Sequence, residues 1–341
     1  MSAEAVTKED FEAARAGERH ALAFRIAFAA ATGLTLGKVL GWDFPFLPPL
    51  LAVQLLTGPG PLNLKQAFGF VAAMTVACGF SVLIAQIFAD TPTALILVVG
   101  LLIFLGFLML ARGQAVAVAA IFLITISVVP LLAITSIDLA YGLVFTLIAG
   151  SFLAVLLSFL AYALFPAHAP LRQDAPAPAE VGVPVAAALA NAAVLTTLVL
   201  YFMLTASPVS VIVLMTAITI LRQSSIAGPG VAFGFIIGNV AGGLAATIAY
   251  LLVFLLPSAG FLLLVTLLAG LIFGAKIAQG GQLAPVYTVG LVTFLIVLGL
   301  GLSPLPQDSG AIFLTRVVNV VLAAVYAIGM VSVLRALFRA I

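Results

Sequence analysis

Apolar runs of membrane-spanning length follow one another along this chain with only short polar breaks between them. A helix needs about 20 apolar residues to cross roughly 30 Å of hydrocarbon, so the pattern predicts a multi-pass α-helical membrane protein. Composition closes the alternative. Only 7% of residues are charged and 65% are hydrophobic, with a mean hydropathy of +1.36, whereas a soluble domain carries roughly 25% charged residues.

Six runs form a first half, at 24–41, 44–57, 67–88, 94–111, 115–134 and 139–165. A polar Pro/Ala-rich stretch at 166–184 follows, with His168, Arg172, Asp174 and Glu180, and reads as a linker outside lipid. Six more runs lie at 185–204, 208–221, 231–256, 261–275, 283–302 and 311–338. The expected fold is therefore all-α, about twelve spans in two halves, 24–165 and 185–341, after an amino-terminal cytoplasmic segment at 1–23.

Charge gives an orientation. With the amino terminus inside, Lys65, Arg112, Arg172, Arg222, Lys276, Arg335 and Arg339 fall at cytoplasmic ends, while Asp43, Asp90, Asp138 and Asp308 fall at outer ones. Both termini are expected in the cytoplasm. The segment before residue 24 lacks the apolar core and cleavage site of a secretory leader.

The halves echo each other. Ala67-Phe68-Gly69-Phe70 returns as Ala232-Phe233-Gly234-Phe235, preceded in each half by Gly-Pro-Gly, at 58–60 and 228–230. Gly113-Gln114 returns as Gly281-Gln282 and Ala163-Leu164-Phe165 as Ala336-Leu337-Phe338, in the same order. Six spans per repeat make the halves parallel, related by an axis along the membrane normal.

The second run of each half is short and bounded by breakers. Pro45, Pro48, Pro49 and Gly58 bound the first; Pro208 and Gly228 bound its counterpart. Interrupted segments at matching places in two repeats point to a transporter site or gate, and equally to tilted helices with proline in the first turn.

Ionisable and polar residues inside the spans are the candidate ligand contacts. Lys38 and Arg316 are the cations placed deepest. Arg316, Asn319, Ala323 and Tyr326 share one stripe of the last run. Thr32, Thr35, Lys38 and Trp42 form another, and Asn239, Gly243, Thr247 and Tyr250 a third. Lys38 has a competing reading, in which it closes its own helix end or pairs with Asp43. Gly33, Gly37 and Gly41, like Gly234, Gly238 and Gly242, have the spacing of close-packing faces, which also makes a homo-oligomer plausible.

Deep carboxylates and histidines are absent from the apolar runs, which leaves Asp43 and Asp138 as the proton-coupling candidates. Cys78 stands alone within an apolar run and reads as a core residue. No nucleotide loop, zinc motif or nucleophile elbow is present, so neither an enzyme nor a cofactor is expected, and the net charge of +2 gives no footprint for nucleic acid. Positive charges without buried negative ones favour a small organic anion as cargo.

Arg25-Ile26-Ala27-Phe28, followed by Phe44-Pro45-Phe46-Leu47-Pro48-Pro49-Leu50-Leu51-Ala52, resembles the opening of the fusaric-acid-resistance-like membrane proteins, the aromatic acid exporter superfamily. The likeness is to a short, membrane-only bacterial branch, without soluble domains after each half. It implies an inner-membrane efflux carrier for aromatic or other weak organic acids, driven by protons and working with a periplasmic adaptor protein. Its Pro-rich element falls on Phe44 to Pro49, beside Lys38, Trp42 and Asp43. An anion channel of the same architecture, or a non-transporting membrane subunit of an adaptor-containing complex, are the alternatives.

Overall fold

The structure is a computed structural model that describes residues 8–58, 60–112, 116–167, 184–205, 210–227 and 232–303, with single helical positions between 318 and 333. The described residues form eleven α-helices and no strand. They are α1 (Lys8–Val39), α2 (Leu47–Leu56), α3 (Leu64–Ile87), α4 (Pro92–Ala111), α5 (Val116–Thr135) and α6 (Ile137–Leu164), then α7 (Pro184–Thr205), α8 (Ser210–Ala227), α9 (Ala232–Leu255), α10 (Ala259–Gln279) and α11 (Ala284–Gly301). Nine of these are long and apolar enough to cross a membrane; α2 and α8 are not among the nine.

Helix ends fall where the local chemistry stops or starts them. Gly41 adopts φ 69° after α1, and Trp42 N–H then donates to the Gly37 carbonyl at 3.0 Å while Gly41 N–H donates to Lys38 at 3.1 Å. That is a Schellman ending, which needs the left-handed backbone glycine supplies. Gly41 thus ends the helix instead of extending the Gly33/Gly37 packing face. Asn63 opens α3 with a capping box to Gln66, and Ser136 and Ser258 cap α6 and α10.

Two expected boundaries move. Helix α1 begins at Lys8, so part of the supposed amino-terminal segment is continuous with the first span, which covers Arg15–Val39. Helix α2 has only 10 residues, about 15 Å, but α8 has 18. No glycine or proline interrupts 221–227, so α8 continues through Arg222 and the two counterparts differ in length.

The helices reach one another through small residues. A Cβ on Gly33 would touch Pro49 at 3.0 Å, and one on Gly37 the Pro45 carbonyl at 2.8 Å, so the Pro-rich start of α2 lies directly on the α1 backbone. Pro48 faces Gly150 of α6. Gly270 and Gly274 of α10 accept Ala27 and Ala23 of α1, which runs antiparallel to it. Gly234, Gly238 and Gly242 of α9 press on Val286 and Gly290 of α11. With lipid tails as apolar as leucine, close backbone approach of this kind is what holds helices together in a bilayer.

Contacts between the two chain segments follow a pattern. Helix α1 packs on α10 and α4 on α7; α5 meets α8 and α2 meets α11. Within the segments, α3 packs on α5 and α9 on α11. Helix α5 is buried over most of its length, and α11 from Val289 to Leu300, so these two form the centre, while α3 and α4 show apolar faces such as Phe68, Val76, Leu97 and Leu101 to the outside. Buried Cys78 of α3 belongs to this core.

Candidate functional site

Three polar zones lie along the bundle. The far end is where α1 finishes, the near end where α6 finishes.

At the far end, four predicted residues come together. Lys38 is exposed and donates through Nζ to the Leu302 carbonyl at 2.5 Å, the residue that closes α11. It forms no ion pair with Asp43. The Asp43 carboxylate instead lies against Gly142, where a Cβ would collide with it, and its backbone carbonyl accepts from Ser303 Oγ at 2.6 Å. Asp138, in the first turn of α6, precedes Gly142 by one turn on the same face. Trp42 packs edge-on against Phe145, 6.0 Å between centroids. A separate crevice of about 230 Å³ opens between α3, α5 and α6, lined by apolar residues with Gln86 and Tyr141, and none of the predicted site residues lines it.

In the middle, Asn239 is fully buried, donates to the Phe235 carbonyl at 2.8 Å and accepts from Thr293 Oγ1 at 2.7 Å. Gly243 accepts from Thr247, so this stripe binds α9 to itself and to α11. Tyr326 of the last helical stretch lies near Thr197 of α7, at no standard hydrogen-bond geometry. Arg316, Asn319, Pro208 and Gly228 lie outside the described residues. Gly58 follows α2 and donates to the Leu55 carbonyl. Pro45, Pro48 and Pro49 are packing contacts, as described above.

Apart from Thr293, which donates to Asn239, the buried serine and threonine hydroxyls divide into two groups. Ser81, Thr125, Thr146, Ser151 and Ser158 each donate to a carbonyl three or four residues back in their own helix, the usual habit of such residues in lipid. Thr35, Ser127, Thr216 and Thr266 are also buried and have no hydrogen-bond partner among the described residues. These four sit on α1, α5, α8 and α10, the helices of the α1/α10 and α5/α8 contacts. Beside Ser127, Pro130 interrupts α5 and deprives the Ile126 carbonyl of its intrahelical donor.

At the near end lies a heavily bonded buried charge, which sequence reasoning passed over. Arg25 is 1% exposed. Its Nη1 donates to Glu18 Oε1 at 2.8 Å and its Nη2 to Oε2 at 3.5 Å; its Nε donates to the Phe165 carbonyl at 2.6 Å, and the guanidinium lies over the Tyr162 ring at 4.4 Å. Glu18 is buried near the start of the first candidate span, which begins at Arg15, before the apolar run that starts at residue 24. The clue available in the sequence was the spacing of seven, which puts both residues on one helix face. Arg222, on α8, is also partly buried, with its Nε unpartnered.

These features define a class: a multi-pass α-helical membrane protein with polar groups gathered at the ends and along the internal helix contacts. Residues 22–161, about two fifths of the chain, are similar to the family described as "Protein of unknown function (DUF2955)". No curated protein and no solved structure matches the chain.

Proposed function

We propose that the protein is a transporter that exports small organic acid anions, aromatic ones above all, across a bacterial inner membrane. In this reading it has about twelve spans in two parallel six-helix halves, with both termini in the cytoplasm and the near end facing inward. The contact pattern supports the repeat. Exchanging α1–α6 with α7–α11 and the last run turns α1/α10 into α7/α4, α2/α11 into α8/α5, and α3/α5 into α9/α11, and every one of these pairs packs. The similarity to DUF2955 also begins in α1 and stops near the end of α6, the bounds of one proposed unit.

One observation carries the transport reading: the unpartnered buried hydroxyls lie on helices that join the proposed halves. Leaving a buried hydroxyl unbonded costs about 1–3 kcal/mol, a cost removed when a polar path opens and admits water or cargo. The helices α3 and α6, which pack mainly within the first half, keep their buried hydroxyls satisfied. Anion selectivity follows from the cations Arg25, Lys38 and Arg222, and the reading involves no enzyme chemistry and no cofactor. Proton coupling through Asp43 and Asp138, and any periplasmic adaptor, belong to the same proposal.

Reconstituted protein should accumulate radiolabelled benzoate-type acids in proteoliposomes when a pH gradient is imposed. Anion current without a gradient would replace the carrier by a channel of the same architecture. Absence of flux for every aromatic carboxylate in both conditions would end the transport reading for the protein alone.

A further inference from the structure

We propose that Arg25 is a carboxylate receptor at the near end, and that Glu18 occupies it in the closed conformation as a built-in surrogate for the cargo. The inference rests on the transport reading for its cargo, and on the near-end geometry for its site.

Stability is a poor reason for this pair. Glu18 and Arg25 are 4% and 1% exposed, and withdrawing two charges from water commonly costs more than their attraction returns, so apolar residues would join α1 to α6 at least as well. The bonding is also uneven. An untethered carboxylate meets a guanidinium through two short parallel bonds, but Glu18 belongs to the same helix, two turns away, and makes one bond of 2.8 Å and one of 3.5 Å. A free carboxylate has no such tether and can close both.

The receptor stays aimed when Glu18 leaves. Nε is held by the Phe165 carbonyl and the guanidinium face by Tyr162, and neither depends on the carboxylate. The surroundings fit an aromatic acid. Phe24 stacks on Phe165 at 5.5 Å and Phe28 meets the same ring edge-on at 6.4 Å. Phe24 is 46% exposed, so this aromatic cluster opens to the outside of the bundle next to the buried cation. Displacement of Glu18 by an incoming carboxylate breaks a bond within α1 and leaves Arg25 attached to α6, so the cargo takes the place of Glu18 on a guanidinium that is already held.

The test uses the full chain in nanodiscs, with radiolabelled benzoate binding measured directly and flux measured separately in proteoliposomes. Glu18→Gln keeps an acceptor for Arg25 but removes the competing charge, and should tighten benzoate binding about tenfold, with a matching fall in KM and little change in kcat. The double variant Glu18→Gln/Arg25→Gln removes both charges of the pair together, should stay monodisperse, and should lose saturable binding. Should the glutamine variant not fold, Glu18→Asp, which draws the carboxylate back by one methylene, should tighten binding in the same direction. Unchanged affinity in the folded Glu18 variant, or wild-type binding by the double variant, would overturn the proposal. Charge-dependent binding without flux would keep the receptor and remove the transport reading; flux with no dependence on either residue would do the reverse.

Discussion

Helix α1 carries one cation in its middle and another in its last turn, and the two are held in opposite ways. Arg25 is buried, its guanidinium bonded to a carboxylate, a carbonyl and an aromatic face drawn from α1 and α6. Lys38, about 20 Å further along, is exposed and gives one bond to the carbonyl that ends α11. Water reaches Lys38 and can replace its partner at little cost, whereas everything that stabilises Arg25 must come from the protein. The difference shows which charge the fold is built around: Arg25 lies well inside the span and Lys38 at its edge, and the number of protein groups committed to each follows that depth.

The largest effect should therefore come from Arg25→Ala, which takes the guanidinium from the buried Glu18 carboxylate, the Phe165 carbonyl and the Tyr162 ring at once. Losing one partner of a buried pair costs about 3–5 kcal/mol, and the variant should show a steep fall in detergent unfolding midpoint or fail to accumulate. An unfolding midpoint equal to that of Lys38→Ala would erase the contrast between the two ends.

The far end has its own sensitive point, which sharpens the contrast because it is a glycine and not a charge. A methyl group on Gly142 would enter the space of the Asp43 carboxylate. Gly142→Ala should cost about 1–3 kcal/mol through overpacking, and in the proposed carrier it should move the pH dependence of flux by displacing Asp43. Gly142→Ala with wild-type stability and an unmoved pH profile would separate Asp43 from both packing and coupling.

The sequence displayed the spans, the breakers around α2 and the small residues of the packing faces, because each is a local property of composition and spacing. Burial within the bundle was not visible in the same way. Helix α4 is the most apolar span yet turns a broad face outward, while α11, rich in glycine and threonine, is enclosed; lipid selects for apolarity and helix contact selects for small size, so hydropathy ranks them backwards. Arg25 was not singled out as a charge because its burial depends on Phe165, 140 residues away. The partner of Asn239 lay 54 residues off in α11 for the same reason. Lys38 drew attention as a charge inside an apolar run, and what decides its role is a carbonyl 264 residues distant.

Lys38→Ala should have the smallest effect of the three. It removes one exposed bond at a helix carboxyl terminus, where a cation contributes about 0.3–1 kcal/mol through the terminal carbonyls and the helix dipole. Other groups already satisfy that turn: Leu302 N–H donates to Leu298 and Gly299, and Ser303 ties the following residue to Asp43. The unfolding midpoint should shift by no more than a few degrees, and any change in benzoate transport should appear in KM and weaken as salt is raised, because an exposed ammonium acts on a passing anion through a screened field. A loss of kcat that persists in high salt would place Lys38 on the cargo itself and give the far end a receptor of the kind assigned here to Arg25.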